Sequence, residues 1–235
     1  MKPVVDIIEG VVDLMRPTDN VVVASGTSPY TVTGLNYTYH LFVGQQLKFV
    51  GTLPSVTAYV TVASIVSNTQ ITVTSSVELT SGKGNTGTLV PVLNYHHGHL
   101  IEIRNTFKLA TQKGTVKKSM FPAIILVQDF PEAVKERDVQ REATLRLFIL
   151  TDSQQKYTAD ERYTNTFIPI LYPLEDRFFE ALENAPYIHS IGDYTRHDRL
   201  FWGRTENAEG TATNIFNDFI DAIEIENLKI TTANC

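Results

Sequence analysis

The sequence predicts an α+β protein: a mainly antiparallel sheet with packed helices, interrupted by a small all-β barrel or sandwich inserted after the first helix. Residues 18–93 contain only four of the 46 charged residues (20 basic and 26 acidic), and such a break in composition is typical of a domain boundary. Outside that stretch, helical and strand periodicities follow one another along an ordinarily charged chain. The predicted domains are therefore a core, residues 1–17 and 94–235, and an insert, residues 18–93.

The first predicted element is a short amphipathic helix. Apolar residues recur at helical spacing over residues 4–15, with Asp6, Glu9 and Asp13 on the other face. Pro17 ends the helix, because proline has no backbone N–H and clashes with the preceding turn.

The insert consists of short stretches rich in β-branched and aromatic residues, separated by turn signals such as Ser25-Gly26 and Leu53-Pro54. Four of these stretches are residues 31–33, 46–50, 58–62 and 70–74. Five or six short strands at this spacing favour a small barrel or sandwich. The alternative is that these strands extend one large sheet.

After the insert, the core is predicted to continue with three strands, a helix and a closing strand. The three strands cover residues 99–109, 115–128 and 143–150, with a hairpin turn at 112–114 and a charged connection over 129–142. The helix begins at Thr158, where Glu161 completes a capping box, and Pro169 and Pro173 are expected to kink or break it. The closing strand covers residues 222–230.

Whole-chain composition excludes several classes of function. The net charge of −6 gives no general attraction to DNA or to an anionic membrane. The one cysteine, Cys235, cannot form an intramolecular disulfide, which suits a protein made in a reducing cytoplasm. The first helix is too acidic for a signal peptide, and no apolar run approaches the ~20 residues that span a bilayer.

A glycine-rich motif of the phosphate-binding type is present, but the helix that should follow it is not predicted. Residues 82–87 spell Gly-Lys-Gly-Asn-Thr-Gly, yet the residues that follow predict a strand rather than the helix that a dinucleotide site needs. The hydrolase motifs G-x-S-x-G and H-E-x-x-H are missing. The sequence therefore predicts no catalytic residue, no cofactor and no enzymatic activity.

Two histidines just after the insert, His97 and His99, are the candidate ligands for a metal site. On an extended chain His97 and His99 would point the same way, which is a workable pair of ligands. A site needs a third ligand, which His40, His189 or His197 could supply. No spacing indicates one, so a polar exit from the insert is the simpler interpretation.

The other clusters of charged residues favour protein contacts or solvated surfaces over catalysis. The one basic cluster lies at the predicted hairpin and comprises Lys113, Lys117 and Lys118. It either contacts an acidic neighbour or forms a solvated tip, and it lacks the interleaved aromatic residues of a nucleic-acid platform. Asp218, Asp221 and Glu224 are expected to cap a helix end or to form an inter-subunit salt bridge.

The order of elements resembles that of the tail-terminator and neck (tail-completion, head–tail joining) proteins of tailed bacteriophages. Three stretches carry the likeness, namely FPAIILV at 121–127, the strand-to-helix passage at 145–182, and NIFNDFIDAIEI at 214–225. The resemblance covers residues 1–17 and 94–235. The insert departs from the compact form of that family and leaves the position in the neck open.

The resemblance implies a structural virion protein that forms a ring, often a hexamer, between the head connector and the tail tube. Its partners would be further copies of itself, the tail-tube protein and the head-connector (adaptor) protein, with no membrane or sequence-specific nucleic acid. It would be made in the host bacterial cytoplasm and located in the virion. Its mechanism would be assembly, with sheet edges pairing between subunits. The candidate assembly interface comprises Lys113, Lys117, Lys118, Asp129, Glu132, Lys135, Glu136 and Arg137.

Two other functions remain open at this point. A surface adhesin-like or carbohydrate-binding module would use tyrosines of the insert as a stacking platform. These are Tyr30, Tyr37, Tyr39 and Tyr59. A metal-dependent enzyme would use the histidines of residues 96–99.

Overall fold

The computed structural model of the chain describes residues 2–38, 41–103, 105, 121–134, 140–202, 204–206, 212–214 and 219–233. The chain divides into two compact units, one formed by Met1–Leu14 with Leu93–Cys235 and the other by Met15–Val92. The limits expected for the insert, residues 18 and 93, lie within three residues of this division.

The unit Met15–Val92 is a closed antiparallel barrel. Its strands are β1 (Asp19–Val23), β2 (Tyr30–Thr33), β3 (Gln46–Thr52), β4 (Ser55–Ser67), β5 (Gln70–Ser75) and β6 (Asn85–Pro91). They are hydrogen-bonded in the order β1-β2-β5-β4-β3-β6, and β6 returns to β1. Of the two predicted alternatives for the insert, barrel and sandwich, the structure has the barrel.

Side chains alternate between the two faces of each strand, and this alternation determines which residues form the barrel core. Inward-facing residues such as Val23, Phe49 and Ile71 are at most 1% exposed, and burying each such side chain contributes about 1.5–3 kcal/mol. Gly51 and Gly87 face each other on neighbouring strands. A Cβ on Gly87 would lie 2.3 Å from the Val50 carbonyl oxygen, so only glycine permits β3 and β6 to approach this closely.

The other unit is organised around a seven-stranded sheet. Its strands are β7 (Asn94–Gly98), β8 (Ala123–Val127), β9 (Glu132–Val134), β10 (Gln140–Asp152), β11 (Ile188–Ile191), β12 (Thr195–Arg199) and β15 (Ile220–Ala233). The order is β11-β15-β10-β8-β7, while β12 also pairs with β15 and β9 with β10. All these pairs are antiparallel except β7 with β8. Strands β13 (Arg204–Glu206) and β14 (Ala212–Asn214) form a separate pair.

The helices of this unit pack on one face of the sheet. They are α1 (Val4–Leu14), α2 (Ala159–Arg162), a π-helical segment (Tyr163–Leu171) and α3 (Tyr172–Glu183). Helix α1 contacts α3, β7 and β8, and the π-helical segment contacts β10 and β15. Among the described residues, no helix combines the length and apolarity needed to cross a membrane. The fold is thus mostly β-structure with a few helices, and the predicted α+β class overstates the helical share.

The helix predicted from Thr158 is confirmed at its start. The Glu161 N–H donates to Thr158 Oγ1 at 3.3 Å, and the Thr158 N–H donates to Glu161 Oε2 at 2.9 Å. The expected break at the prolines is wrong, because the helical path continues to residue 183. Pro169 lies inside the π-helical segment, and Pro173 lies in the first turn of α3, where its missing N–H costs little.

The structure gives several strands different limits from those predicted. Residues 100–103 are helical rather than extended, because the N–H groups of Glu102 and Ile103 bond back to the His99 carbonyl. The charged connection contains strand β9 and the start of β10. The strands predicted at 143–150 and 222–230 are confirmed and are longer. The predicted hairpin turn at 112–114 and the first part of the strand at 115–128 lie outside the described residues.

Candidate functional site

Strand β12 supplies charged side chains to both faces of the sheet. Its sequence is Thr-Arg-His-Asp-Arg, and it pairs with β15 so that Arg196 lies opposite Ile225 and His197 opposite Glu224. Since side chains alternate along a strand, Arg196 and Asp198 lie on the face where the helices pack, the helix face. His197 and Arg199 lie on the other side, the opposite face.

On the helix face, one guanidinium holds two carboxylates. Arg196 Nε lies 2.8 Å from both carboxylate oxygens of Glu175 on α3, and Arg196 Nη2 lies 3.0 Å from Asp198 Oδ1. The Tyr172 hydroxyl donates to Asp198 Oδ2 at 2.9 Å. The Arg196 guanidinium also lies 4.8 Å from the centre of the Tyr172 ring, within cation–π range. These contacts fasten α3 to the edge of the sheet.

Burial and charge perturb the ionisable groups of this cluster. Burial raises the pKa of the Glu175 carboxyl, and the Arg196 guanidinium offsets part of that rise. Burial, and then the hydrogen bond to Asp198, raises the pKa of the Tyr172 phenol. Because Arg196 occupies the carboxylates that would otherwise act as acid or base, the arrangement suits binding and positioning better than proton transfer.

On the opposite face, Glu224 is the centre of an ion-pair network. Its side chain is 2% exposed and accepts hydrogen bonds from Arg146 on β10 and from Arg199 on β12, with Arg199 Nε at 2.5 Å. Arg146 Nη2 also lies 3.4 Å from Glu226 Oε1, and His197 Nε2 lies 3.7 Å from Glu226 Oε2. Burial alone would raise the pKa of Glu224, but the two arginines outweigh it and hold that pKa below its ordinary value.

A third ion pair is fully buried at the end of the sheet. Arg162 Nη1 lies 2.6 Å from Asp221 Oδ1, and neither side chain is exposed to solvent. Arg162 also donates to the Ser153 hydroxyl at 2.9 Å, and its guanidinium lies 3.4 Å from the centre of the Phe201 ring. The Phe201 N–H donates to the same Asp221 oxygen at 3.1 Å. This pair joins the start of the helical run to the start of β15.

Two of these clusters, those of Glu224 and Asp221, correct the interpretation of the acidic residues near the end of the chain. Asp221 and Glu224 belong to strand β15 rather than to a helix end, and each is paired within its own chain. The predicted helix cap or inter-subunit salt bridge is therefore wrong for both. Asp218 lies outside the described residues.

The predicted metal pair is not assembled as expected. His97 lies in β7, but His99 lies beyond Gly98 and begins a helical turn, where its Nδ1 accepts the Ile101 N–H at 3.3 Å. Burial and then the neighbouring His97 lower the pKa of His96. No group of three His, Cys, Asp or Glu side chains suited to a metal is found in the described part of the chain.

Two features of the insert are also explained by the barrel. The glycine motif forms a loop that runs directly into strand β6, with Gly82 and Gly84 at positive φ, so no helix N-terminus meets it. Tyr30 is 5% exposed inside the barrel core and cannot contribute to the expected stacking platform. Tyr59 is 41% exposed, and Tyr39 lies outside the described residues.

The residues proposed for the assembly interface are only partly described. Glu132 lies in β9 and pairs with Arg141 of its own chain at 3.1 Å, and Asp129 is exposed. Six of the proposed residues lie outside the described residues: Lys113, Lys117, Lys118, Lys135, Glu136 and Arg137.

Sequence reasoning missed the cluster around Arg196. The one signal in the sequence was the alternation of charges in residues 195–199, which a polar strand at a sheet edge would produce. The position of Glu175 opposite that strand depends on tertiary packing, which no local pattern reports. No model of a known protein family matches this sequence, and a search of the curated proteins finds no relative.

Proposed function

We propose that this chain is a structural virion subunit of a tailed bacteriophage, which assembles into a ring in the neck between the head connector and the tail tube. The observation that carries the proposal is the edge position of β12. Among the described residues β12 is hydrogen-bonded only to β15, and its side chains are already fixed by ion pairs on both faces. The other backbone edge of such a strand can pair with a strand of another subunit, and the fixed charges would admit only a partner of complementary charge.

Assembly rather than catalysis is the proposed activity. In the described clusters the carboxylates of Glu175, Asp221 and Glu224 are each bound by an arginine. Carboxylates bound in this way join structural elements to one another and are less available for acid–base chemistry. The order of elements in residues 1–17 and 94–235, which resembles that of tail-terminator and neck proteins, supports the finer assignment to a ring, with a hexamer as the expected form.

The lysine cluster and the charged connection are the proposed contacts with neighbouring subunits and rings. Reversing three charges, K113E/K117E/K118E, should weaken ring formation, because each lysine would otherwise face an acidic partner. The matched control is K48E/K83E/K156E, which reverses three exposed lysines elsewhere.

The test measures mass by light scattering during size-exclusion chromatography, followed by electron microscopy of the assembled fraction. We expect a ring for the full-length chain and for the control, and a smaller species for the lysine variant. A chain that stays monomeric over the accessible concentration range, alone and with tube and connector proteins, would refute the proposal.

A further inference from the structure

Strand β12 has a backbone edge that no other described strand occupies. It pairs with β15 on one side, and among the described residues no strand pairs with its other side. Three of its five residues, Thr195, Arg196 and Arg199, are exposed. An open edge of this kind is a template for another strand and a liability for aggregation, so natural proteins tend to cover it.

One carboxylate oxygen on β12 lacks a hydrogen bond. Asp198 Oδ1 is buried and has no hydrogen-bond partner among the described residues, because Arg196 Nη2 lies 3.0 Å away but is poorly aligned with it. The other oxygen, Oδ2, accepts the Tyr172 hydroxyl. A buried acceptor without a donor is costly, so an additional donor at this position would be stabilising.

The charges of β12 are complementary to those of a second β12 that runs antiparallel to it. Arg196 precedes His197 and Asp198 follows it, and the two charged residues share the helix face. When the two copies of His197 lie opposite each other, Arg196 of each copy lies opposite Asp198 of the other. Cβ atoms of such cross-strand pairs are about 5 Å apart, and pairs of opposite charge are stabilising.

The neighbouring registers lose this complementarity. A slip of one residue would set side chains of the helix face against side chains of the opposite face. A slip of two residues puts Arg196 opposite Arg196 in one direction and Asp198 opposite Asp198 in the other. Like charges directly opposite each other are destabilising, so the strand specifies one antiparallel register with a second copy.

We propose that β12 of one copy pairs antiparallel with β12 of a second copy about a two-fold axis at His197, so that the two sheets continue through the contact. On the helix face, the Arg196 guanidinium of each copy supplies a donor to the unpaired Asp198 oxygen of the other. On the opposite face, Thr195 of each copy lies beside Arg199 of the other.

This pair is distinct from the contact that forms a ring. A two-fold contact uses the same patch on both copies and closes at two, so it cannot continue around a ring of copies. The inference therefore goes beyond the proposed function and does not rest on it. The pair covers the β12 edge in the free chain, and a ring that uses the same edge has to open the pair first.

Disulfide formation tests the register. The one cysteine of the chain is removed as C235S, and H197C in that background places two thiols across the axis. Cα atoms of directly opposed residues are about 4.5–5.5 Å apart, which is within disulfide range. Mild oxidation should therefore give a covalent dimer of H197C.

The controls are T195C and R199C in the same background. Each should stay unlinked alone, because the two copies of either residue lie about 13 Å apart along the strands. A mixture of T195C and R199C should form the mixed disulfide, since these residues are opposed in the proposed register. Equal linking of all three single variants, or no linking of H197C, would overturn the inference.

A charge at the axis tests the affinity. His197→Glu places two carboxylates directly opposite each other and should raise the Kd of the dimer roughly fivefold in analytical ultracentrifugation. The matched control is His97→Glu, which makes the same change at an exposed residue of β7, at the other end of the sheet, and should leave the Kd unchanged. Equal Kd values for His197→Glu and the wild type would contradict the contact.

The outcomes separate the pair from the ring. A ring that forms from a chain whose H197C variant never cross-links would overturn the pair and leave the ring function standing. A cross-linked H197C dimer in a chain that never forms a ring would support the pair and refute the ring.

Discussion

At the scale of single residues, Glu224 shows how a charged residue is accommodated on the opposite face. Its side chain is almost completely buried between Arg146 and Arg199, which are each nearly half exposed. The two guanidiniums therefore stay partly hydrated, and they replace the water that the carboxylate loses on burial. Each of these bonds is charge-assisted, which makes it stronger than a neutral hydrogen bond. The carboxylate therefore links β10, β15 and β12 through side chains as well as through the backbone.

Replacing Glu224 with glutamine should lower the free energy of unfolding by about 2 kcal/mol at pH 7, because two guanidiniums lose a charged acceptor. The measurement is urea denaturation of both proteins. The control is Glu226→Gln, which alters a more exposed and more distant pair and should change stability by no more than about 0.5 kcal/mol. Equal effects of the two substitutions would contradict the central role of Glu224.

The same substitution has a defined pH dependence. The pKa of Glu224 in the folded chain lies below its ordinary value of 4.5, so the folded state binds the proton less tightly than the unfolded state. Its contribution is therefore complete above about pH 4.5 and is lost as the pH falls through the folded pKa. The stability difference between the wild type and Glu224→Gln should shrink accordingly in denaturation curves recorded at pH 7, 5 and 3.5.

At the scale of elements, strand β15 shows what a sequence pattern can and cannot reveal. Its existence follows from the apolar residues Ile223, Ile225, Leu228 and Ile230, and the structure confirms it. These residues change phase between 225 and 228, yet all four are buried. The reason is an extra residue in β15 where it pairs with β10, with Asn227 at φ 58°. Strict alternation would place Leu228 and Ile230 on the face opposite Ile223 and Ile225, so the pattern alone could not reveal that the extra residue brings all four to one face.

The extra residue in β15 forms a β-bulge, and this bulge restricts which residues position 227 can hold. Valine at this position should lower the free energy of unfolding by about 1–2 kcal/mol, because a β-branched residue is strained at positive φ, whereas glycine should be close to neutral. Lys229→Val is the matched control, since residue 229 is exposed on the same strand without a positive φ. Chemical denaturation of the three variants provides the comparison, and an equal loss for both valine variants would contradict the strain.

Other elements were predictable to different degrees for physical reasons. The capping box at Thr158 is local chemistry, and the helix starts where it was expected. The π-helical segment that accommodates Pro169 was not predictable, because a widened turn is stabilised by packing against β10 and β15. The helical turn after His99 was hidden because residues 100–103 alternate as a strand would.

At the scale of the whole molecule, the uneven charge follows the division into two units. The barrel has alternate strand residues buried in its own core, and its outward strand positions carry few charges, with threonine the commonest residue among them. The sheet unit carries nearly all the acidic and basic residues, and its interior ion pairs use some of them. Composition could locate this division near its place in the chain, because it reports averages over many residues. Composition does not indicate, by contrast, whether the outside of the barrel binds another molecule.

The division leads to a prediction about independent folding. Removing Met15–Val92 and joining Leu14 to Leu93 through a short Gly/Ser linker should leave a folded sheet unit, since α1 packs on α3, β7 and β8 within that unit. We expect a soluble product with a single cooperative unfolding transition in circular dichroism and with dispersed amide signals in NMR spectra. The matched control is a second deletion that removes β7 as well as residues 19–91. In this variant α1 loses one of the strands that it contacts. Loss of cooperativity in the first product as well as the second would mean that the sheet unit depends on the barrel for its fold.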